Sequence, residues 1–324
     1  MRPLLHIPDG FLAPQVALAL WVVSALAVAI ALRRIGANDA GARGGAAAGS
    51  AAARQTILMG ISGAFVFAAQ MFNFPVAAGT SGHLLGGVLA GFLLGPWAGT
   101  VVMAIVIGVQ ALIFQDGGLL ALGANIFNMG LIGTLGGTLL ARGVSTALGN
   151  GRVATLLGIA VAAWLSVMAA AGFTTLQLGL SGTTDIGIGL PAMLGVHALI
   201  GIGEALISIA AVSFIAASAP EIFARSATPS SASPLRRGLA AIAVIATTLL
   251  CASLFASTSP DGLEKIASDL GFLHKGTSSP LDLFSDYTIP GLSGPLATIV
   301  AGIVGVALVA LILIVLSKIA ARRS

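Results

Sequence analysis

The sequence predicts an all-α protein that spans a membrane about nine times. Only 8% of its 324 residues are charged, the mean hydropathy is +1.05, and apolar runs recur along the whole length. An average soluble domain has about 25% charged residues, whereas a run of roughly 20 apolar residues crosses the hydrocarbon layer as a helix. The composition therefore excludes a soluble enzyme or a soluble binding protein.

Hydropathy and helix-breaking residues divide the chain into nine apolar segments. The first is too long for the apolar core of a signal peptide, and its basic residues, Arg33 and Arg34, follow the run instead of preceding it. The third is short and ends at Gly95-Pro96, so it is either a half-helix or a full crossing. The segments are residues 11–32, 56–72, 84–95, 97–115, 121–141, 153–172, 191–217, 238–257 and 295–317.

The basic residues predict an orientation with the N-terminus outside and the C-terminus in the cytoplasm. With nine crossings, all but three of the 15 Lys and Arg residues fall on the cytoplasmic side, and the exceptions are Arg2, Lys265 and Lys275. Such an excess in cytoplasmic loops is typical of multi-span proteins. The net charge of +4 therefore needs no nucleic-acid partner to explain it.

Two segments are typical of linkers and indicate two units. Residues 36–53 consist mainly of Ala and Gly, which predicts a flexible connection. Residues 218–237 are rich in Ser and Pro and separate seven spans from a final pair. We therefore divide the chain into a membrane domain over 1–217, a cytoplasmic linker over 218–237, and a second unit over 238–324 with two spans and an outer loop.

Small residues recur four apart on the second to fifth segments, which places them on shared helix faces. In lipid such faces let helix backbones approach closely. We expect these faces to pack within the chain, and the alternative is a docking face for another membrane subunit. The residues are Gly60, Ala64 and Ala68, then Gly87, Gly91, Gly95 and Gly99, then Gly133 and Gly137.

Few polar residues lie in or beside the spans, and the predicted topology places them near the outer side. Ionisable residues inside a membrane are costly and are therefore candidates for function. His197 and Glu204 are seven residues apart on the seventh span and so share a face. The other candidates are His6, His83, Asp116, Asn125 and Asn128.

His6 and His83 are the strongest candidates for metal ligands, because imidazole is the commonest metal ligand and suits nickel and cobalt. If the chain began at Leu5, its terminal amine, the His6 amide nitrogen and His6 Nδ1 would form two fused chelate rings. His83 would complete a flat set of four nitrogens, which Ni(II) and Cu(II) favour. Leu5 is a candidate ligand only if it is the true initiator position. We expect the segment after His6 to insert into the bundle and to bring His6 close to His83.

These candidates lie in short strings of sequence that follow one another along the chain. The strings are HIPDGFL (6–12), AGTSGHLLGG (78–87), FQDGG (114–118) with LGANIFNM (122–129), and HALIGIGE (197–204). In this order they resemble the CbiM/NikM family, whose members are the substrate-specific S components of energy-coupling factor transporters for cobalt or nickel. The resemblance covers residues 6 to about 217, and the string SGHLLG is closer to the nickel branch.

The resemblance implies that His6 and His83 bind Ni(II) or Co(II), with nickel favoured, as the transported substrate. It also implies a transmembrane coupling (T) subunit and ATPase (A) subunits as partners, in the plasma membrane of a prokaryote. In the family the histidine directly follows the initiator Met, whereas Met1 to Leu5 precede His6 here. This extension is a misassigned start, is removed by processing, or leaves the metal with fewer ligands. The residues expected to orient the ligands or gate the site are Asp116, Asn125, Asn128, His197 and Glu204.

Residues 260–291 begin with the string PDGLE and resemble the companion subunit of the same transport systems, here fused to the membrane domain. Ser259 can cap a helix, and Pro260 suits the first helical turn. We expect an amphipathic helix in this outer loop, with its apolar face on the outer surface of the seven-span bundle. The residues on that face are Leu263, Ile266, Ala267 and Leu270.

Two other function classes are weighed against the transporter component. The chain has no GxxxxGK[ST] motif, so ATP hydrolysis would belong to a partner and the chain is not itself an enzyme. The main alternative is a self-sufficient carrier in which His197 and Glu204 relay protons. An intramembrane metalloenzyme is disfavoured because there is no HExxH motif. The single cysteine, Cys251, lies in an apolar run and is not expected to bind metal.

Overall fold

The computed structural model describes residues 6–41, 46–77, 79–218, 234–277 and 283–323, which form a helical bundle with one short hairpin. The hairpin pairs β1 (Phe74–Pro75) with β2 (Ser81–Gly82). A π-helix (Ile126–Gly136) joins α5 to α6. The α-helices are α1 (Pro14–Gly41), α2 (Ala46–Gln70), α3 (Gly87–Leu94), α4 (Pro96–Ile113), α5 (Leu122–Asn125), α6 (Gly137–Ala147), α7 (Arg152–Leu180), α8 (Ile186–Ser218), α9 (Pro234–Phe255), α10 (Gly262–Asp269) and α11 (Pro295–Arg323).

Seven helical segments of the described residues are long and apolar enough to cross a membrane, namely α1, α4, the run from α5 to α6, α7, α8, α9 and α11. A multi-span membrane protein is thereby confirmed, while the count of nine crossings and the orientation stay predictions. The third predicted segment contains only the eight residues of α3. They rise about 12 Å, against a hydrocarbon layer of about 30 Å. By length α3 is therefore a half-helix, and the predicted crossing of this segment would need the non-helical residues beside it.

The predicted flexible linker over residues 36–53 is mostly helical instead. Helix α1 continues to Gly41, and α2 begins at Ala46. Alanine has the highest intrinsic helix propensity of all residues, so an alanine-rich segment beside two spans extends their helices. Residues 42–45, and residues 219–233 of the predicted cytoplasmic linker, lie outside the described part of the chain.

The glycine faces of α3, α4 and the π-helix pack against each other inside the chain. Helices α3 and α4 form a hairpin around Gly95. Its φ of 83° is a backbone conformation that only glycine adopts readily. A Cβ on Gly99 would lie 2.9 Å from the Cα of Gly91, and one on Gly133 would lie 2.8 Å from the Cα of Gly87. Close packing within the chain therefore explains these glycines, and a docking face for another subunit is not required.

The loops at one end of the bundle contact one another and bring the polar candidates together. At the opposite end, the Arg34 guanidinium lies 5.6 Å from the ring centre of Trp97. The contacts at the first end are Gly118 N with Ile7 O (2.9 Å), Thr183 Oγ1 with Phe11 O (2.6 Å), Ser257 N with Asn73 O (2.8 Å), and Thr277 N with Asp9 O (2.8 Å).

We expect Gly99→Leu to destabilise the bundle, because the new side chain must enter the close approach between α3 and α4. Overpacking of a filled interior costs about 1–3 kcal/mol. The measurement is thermal unfolding in detergent, with Gly108→Leu as the matched control on the same helix, since a Cβ at Gly108 meets no atom within 4 Å. Equal stability of the two variants would contradict the α3–α4 hairpin.

Candidate metal centre

Two histidine rings meet where the start of the chain and the β1–β2 hairpin converge. The ring centres of His6 and His83 are 5.4 Å apart, with the planes at 89°, and both side chains are buried. Two imidazoles that bind one metal at about 2.0 Å from each nitrogen have ring centres roughly 4–6 Å apart. The structure therefore places these two residues at a separation that one metal ion can bridge.

Each ring has a nitrogen with no hydrogen-bond partner among the described residues, Nε2 of His6 and Nδ1 of His83. A buried polar atom without a partner is uncommon and calls for an explanation. Burial, together with the neighbouring His6 ring, lowers the pKa of His83 to about 3, so this imidazole is neutral and keeps a lone pair. A cavity of about 60 Å³ is lined by both rings, which is room for an ion and a few waters.

Asp116 fixes the opposite side of the His6 ring. His6 Nδ1 lies 2.9 Å from Oδ1 of Asp116 and 3.1 Å from its carbonyl oxygen. Because both oxygens are acceptors, Nδ1 carries the hydrogen, and Nε2 is the nitrogen left for a metal. Burial by itself would lower the pKa of His6, but the Asp116 carboxylate raises it overall. A carboxylate behind a ligating imidazole is common at protein metal sites.

The predicted chelate through His6 Nδ1 is not present in this conformation. Its six-membered ring needs the Nδ1 lone pair, and Nδ1 is turned to Asp116 instead. Leu5, the conditional ligand, lies outside the described residues. Within the described part of the chain, no three His, Cys, Asp or Glu side chains are grouped so that they could hold a metal ion. A metal at His6 and His83 would therefore need main-chain nitrogen, water or residues before His6 as further ligands.

Asn125 and Asp9 hold the segment that carries His6. Asn125 binds the backbone of one residue on both sides, because its Oδ1 accepts from Ile7 N and its Nδ2 donates to Ile7 O, each at 3.0 Å. The Asp9 carboxylate accepts from the backbone N–H groups of residues 119–121 at 2.7 to 3.1 Å. These N–H groups precede or begin α5 and have no partner within the helix. The segment is therefore inserted into the bundle, as expected.

Glu204 holds the loop that carries His83. Its Oε2 accepts from Leu85 N at 2.6 Å, and its Oε1 accepts from Gly86 N at 2.9 Å. A carboxylate is favoured at this place because the N–H groups at the start of α3 carry partial positive charge. The neighbouring Gln70 donates to Leu85 O at 2.7 Å. Glu204 therefore holds the loop that carries His83, and its predicted role in orienting a metal ligand stays a prediction.

Asn128 and His197 line the cavity, each with a protein partner. The Asn128 side chain exchanges two hydrogen bonds with Gln177, at 2.8 and 2.9 Å, and links the π-helix to α7. His197 Nδ1 lies 2.8 Å from Met193 O, so Nδ1 donates and Nε2 keeps its lone pair. His197 and Glu204 share a helix face but form no bond with each other, so the structure does not provide the direct link that a two-residue proton relay needs.

The outer loop of the second unit forms the expected amphipathic helix, α10, which covers this end of the bundle. Leu263, Ile266 and Ala267 are buried, and Leu270 is partly buried beside them. The expected apolar face is therefore confirmed, and it packs on the first unit. The first-unit residues in this cluster are Ile7, Phe11, Ala121, Ala124, Ala171, Leu178 and Met193.

Contacts in the structure explain the residues of the PDGLE string, although the residue that caps α10 is not the one expected. Asp261, not Ser259, caps α10, because its Oδ1 accepts from Glu264 N at 2.7 Å. Pro260 O accepts from Ser81 N at 2.8 Å and so ties the string to the hairpin. A Cβ on Gly262 would lie 2.8 Å from Cε1 of His197, so only glycine lets the loop approach the cavity this closely.

Sequence reasoning missed four polar residues of this centre. Asp9 and Asp261 lie in the strings that drew attention, but their value as backbone acceptors depends on loops that are distant in sequence. Gln177 lies on α7, outside the strings. Tyr287 donates to Asp116 Oδ2 at 2.6 Å from a loop of the second unit, and its one available signal was that it is the sole tyrosine of the chain.

Comparison with known proteins gives a consistent picture. Residues 6–222 match a family described as the cobalt uptake substrate-specific transmembrane region, CbiM, and residues 236–322 match the PDGLE domain. A fused nickel transport protein, NikMN, of Archaeoglobus fulgidus is 35% identical over 94% of this chain and 95% of its own length. A fused nickel transport protein, LarMN, of Lactiplantibacillus plantarum is 30% identical over 93% of this chain and 94% of its own length. A crystal structure of a truncated transition metal transporter, 29% identical, matches 66% of this chain and 99% of its own with a TM-score of 0.53.

We expect Glu204→Gln to loosen the His83 loop, because an amide offers one acceptor oxygen where the carboxylate offers two. A buried N–H left without a partner costs about 1–3 kcal/mol. The measurement is thermal unfolding, compared with Asp269→Asn, which alters an exposed carboxylate paired with Lys265 and should change little. If both variants unfold like the unchanged chain, Glu204 is not an anchor.

Proposed function

We propose, because the chain belongs to the CbiM family of substrate-specific transmembrane regions and carries a fused PDGLE domain, that it is the metal-capturing component of an energy-coupling factor transporter. The membership itself makes the chain a multi-pass membrane component of metal transport, with nickel or cobalt ions as substrates, and a transporter rather than an enzyme. The finer proposal is import of Ni(II) in preference to Co(II), driven by partner subunits in a prokaryotic plasma membrane.

One observation carries the proposal: two buried imidazoles, each with an unpartnered nitrogen, lie 5.4 Å apart beside a cavity. His6 would bind through Nε2, since Asp116 occupies Nδ1. His83 would bind as a neutral imidazole, which needs no proton release before it meets the metal. Both sit on segments fixed by hydrogen bonds, and such support preserves ligand orientation.

Nickel is favoured over cobalt on two grounds. Nitrogen ligands bind Ni(II) more tightly than Co(II) in the general order of divalent metal affinities. Two relatives that each cover more than nine-tenths of the chain are named as fused nickel transport proteins. The division of the chain into a membrane domain, a linker over 218–237 and a second unit belongs to the same proposal.

An ATPase partner is proposed in place of proton coupling. The sequence carries no phosphate-binding motif, and both Glu204 oxygens accept backbone hydrogen bonds, which suits an anchor better than a proton carrier. The T and A subunits of an energy-coupling factor complex would supply ATP hydrolysis and coupling. Nickel uptake by cells that express the chain with and without these subunits tests this, and uptake by the chain alone, abolished by a protonophore, would favour the carrier.

We expect His83→Ala to lower nickel retention by the purified protein by roughly 100-fold, because loss even of an outer partner of a metal ligand costs about 10–100-fold. Cys251→Ala should retain nickel, since this half-buried thiol lies on α9 and does not line the cavity beside the histidines. The measurement is metal analysis after dialysis. Undiminished binding by His83→Ala would move the site elsewhere.

A chain shortened by residues 1–4, with Met at position 5, should bind nickel more tightly than the full chain. Its terminal amine would stand one residue before His6 and could close a five-membered chelate ring with the His6 amide nitrogen, once the His6 ring turns from Asp116 so that Nδ1 in place of Nε2 binds the same metal. Such a site should also favour Ni(II) over Zn(II), which prefers a tetrahedron. Isothermal titration of both forms, after mass spectrometry of the native start, is the measurement. Equal affinity would mean that the amine is not a ligand.

A further inference from the structure

The π-helix (Ile126–Gly136) lies inside a longer membrane helix whose hydrogen-bond register changes along its length. Before it, Asn125 N donates to Ala121 O, four residues back, as in any α-helix. At its end, Gly137 N donates to Ile132 O, five residues back. Most π-helices are single turns, and they occur frequently at functional sites. Eleven residues of π-helix beside the candidate metal centre therefore call for an explanation.

Both segments that carry the candidate histidines are attached to this π-helix. At its start, Asn125 binds the backbone of the residue after His6 through two hydrogen bonds of 3.0 Å. Near its other end, Gly133 packs against Gly87, the first residue of α3, which follows the loop that carries His83. A Cβ on Gly133 would lie only 2.8 Å from the Cα of Gly87. The π-helix is therefore a common support for both segments.

We propose that the π-helix is a positioning element of the metal centre: its register sets the distance between the segments that carry His6 and His83. The inference rests on the proposed function, since it assigns the π-helix a part in the same site. It does not depend on which ring nitrogens bind the ion, because it concerns where the two segments lie.

The register matters because the two points of attachment, Asn125 and Gly133, are eight residues apart. In an α-helix eight residues rise about 12 Å, and each residue turns the helix by about 100°. A bond that reaches five residues back closes a wider turn, so each residue of a π-helix adds less rise and less rotation. In an α-helical register Gly133 would lie farther from Asn125 and would face another direction. The contact with Gly87 and the 5.4 Å separation of the two histidine rings therefore belong to the π register.

Buried polar contacts with α4 and α7 hold the helix in this register. Thr134 Oγ1 lies 2.7 Å from Thr100 Oγ1 of α4 and 2.8 Å from Gly130 O. Asn128 exchanges two hydrogen bonds with Gln177 of α7. Rotation of the π-helix would separate these groups, and lipid offers no other partners. The neighbouring helices therefore oppose a change to the ordinary α-helical register.

The first test removes one residue without removing a side chain. Deletion of Gly136 makes the bond from Gly137 N to Ile132 O reach four residues back, which favours the α register. We expect nickel binding to weaken about tenfold or more, the loss typical of a disturbed support of a metal ligand. Equilibrium dialysis measures it, well below the unfolding temperature of each variant, so that only folded protein is compared.

The matched control for the deletion is Gly136→Ala, which keeps the number of residues. Gly136 is exposed, and a Cβ at this position meets no atom within 4 Å. This variant should bind nickel like the unchanged chain. Unchanged affinity in the folded deletion variant would overturn the inference, because the register would then have no effect on the site.

The second test keeps the chain length and pushes the π-helix away from α3. The Cβ of Gly133→Ala would lie too close to Gly87, so α3 and the loop before it must shift. Gly130→Ala is the control on the same helix, because a Cβ there meets Met103 at an ordinary 3.5 Å. Gly133→Ala should bind nickel about tenfold more weakly than Gly130→Ala. The visible absorption of the nickel that it still binds should also shift, since this absorption depends on the geometry of the ligands.

The outcomes separate this inference from the function on which it rests. If His83→Ala binds nickel as tightly as the unchanged chain, the proposed site is wrong whatever the π-helix does. If His83→Ala loses nickel while the deletion variant and Gly133→Ala both keep it, the site stands and the positioning role falls. Should the deletion variant fail to fold, the two alanine variants decide alone, and equal nickel affinity of Gly133→Ala and Gly130→Ala would overturn the inference.

Discussion

Irregular backbone near a membrane must have its polar groups satisfied within the protein, because lipid offers no partners. The site depends on this constraint, since both candidate ligands sit on non-helical segments. Glu204 binds the amides that follow His83, Asn125 binds the backbone N–H and C=O of the residue that follows His6, and Asp9 binds the amides before α5. These polar side chains thus form hydrogen bonds with the backbone, and each of the two imidazoles keeps a nitrogen without a hydrogen-bond partner.

The ion pair of His6 and Asp116 links this scaffold to metal chemistry. The carboxylate that raises the pKa of His6 also makes its lone pair a better donor to a metal. In the conformation in which Asp116 holds Nδ1, a proton and a metal would compete for the same nitrogen, Nε2. His83, whose pKa is lowered to about 3, carries no such competition. The pair therefore combines an imidazole whose pKa is raised with one whose pKa is lowered.

The sequence predicted those features that depend on local pattern and missed those that depend on distant contacts. Hydropathy located the helices, and helical spacing identified the buried face of α10. The π-helix after Asn125 and the bond between Tyr287 and Asp116, 171 positions apart, depend on tertiary packing that no local pattern records. For residues 36–53 a local property was misread: the low complexity was taken to mean a flexible linker, whereas the high helix propensity of alanine makes the segment mostly helical.

The fusion of two units has a thermodynamic consequence for the site. Gly262 and Asp261 of the second unit line the same cavity as His6 and His83 of the first, and Tyr287 reaches Asp116 behind it. Docking of the loop and binding of a metal at these residues would then be coupled, and coupling of binding free energies is reciprocal. If docking of the loop increases the affinity for metal by some factor, bound metal increases the affinity of the loop for the first unit by the same factor. Joining the units in one chain raises the effective concentration of the loop at the site, so this coupling operates within a single molecule.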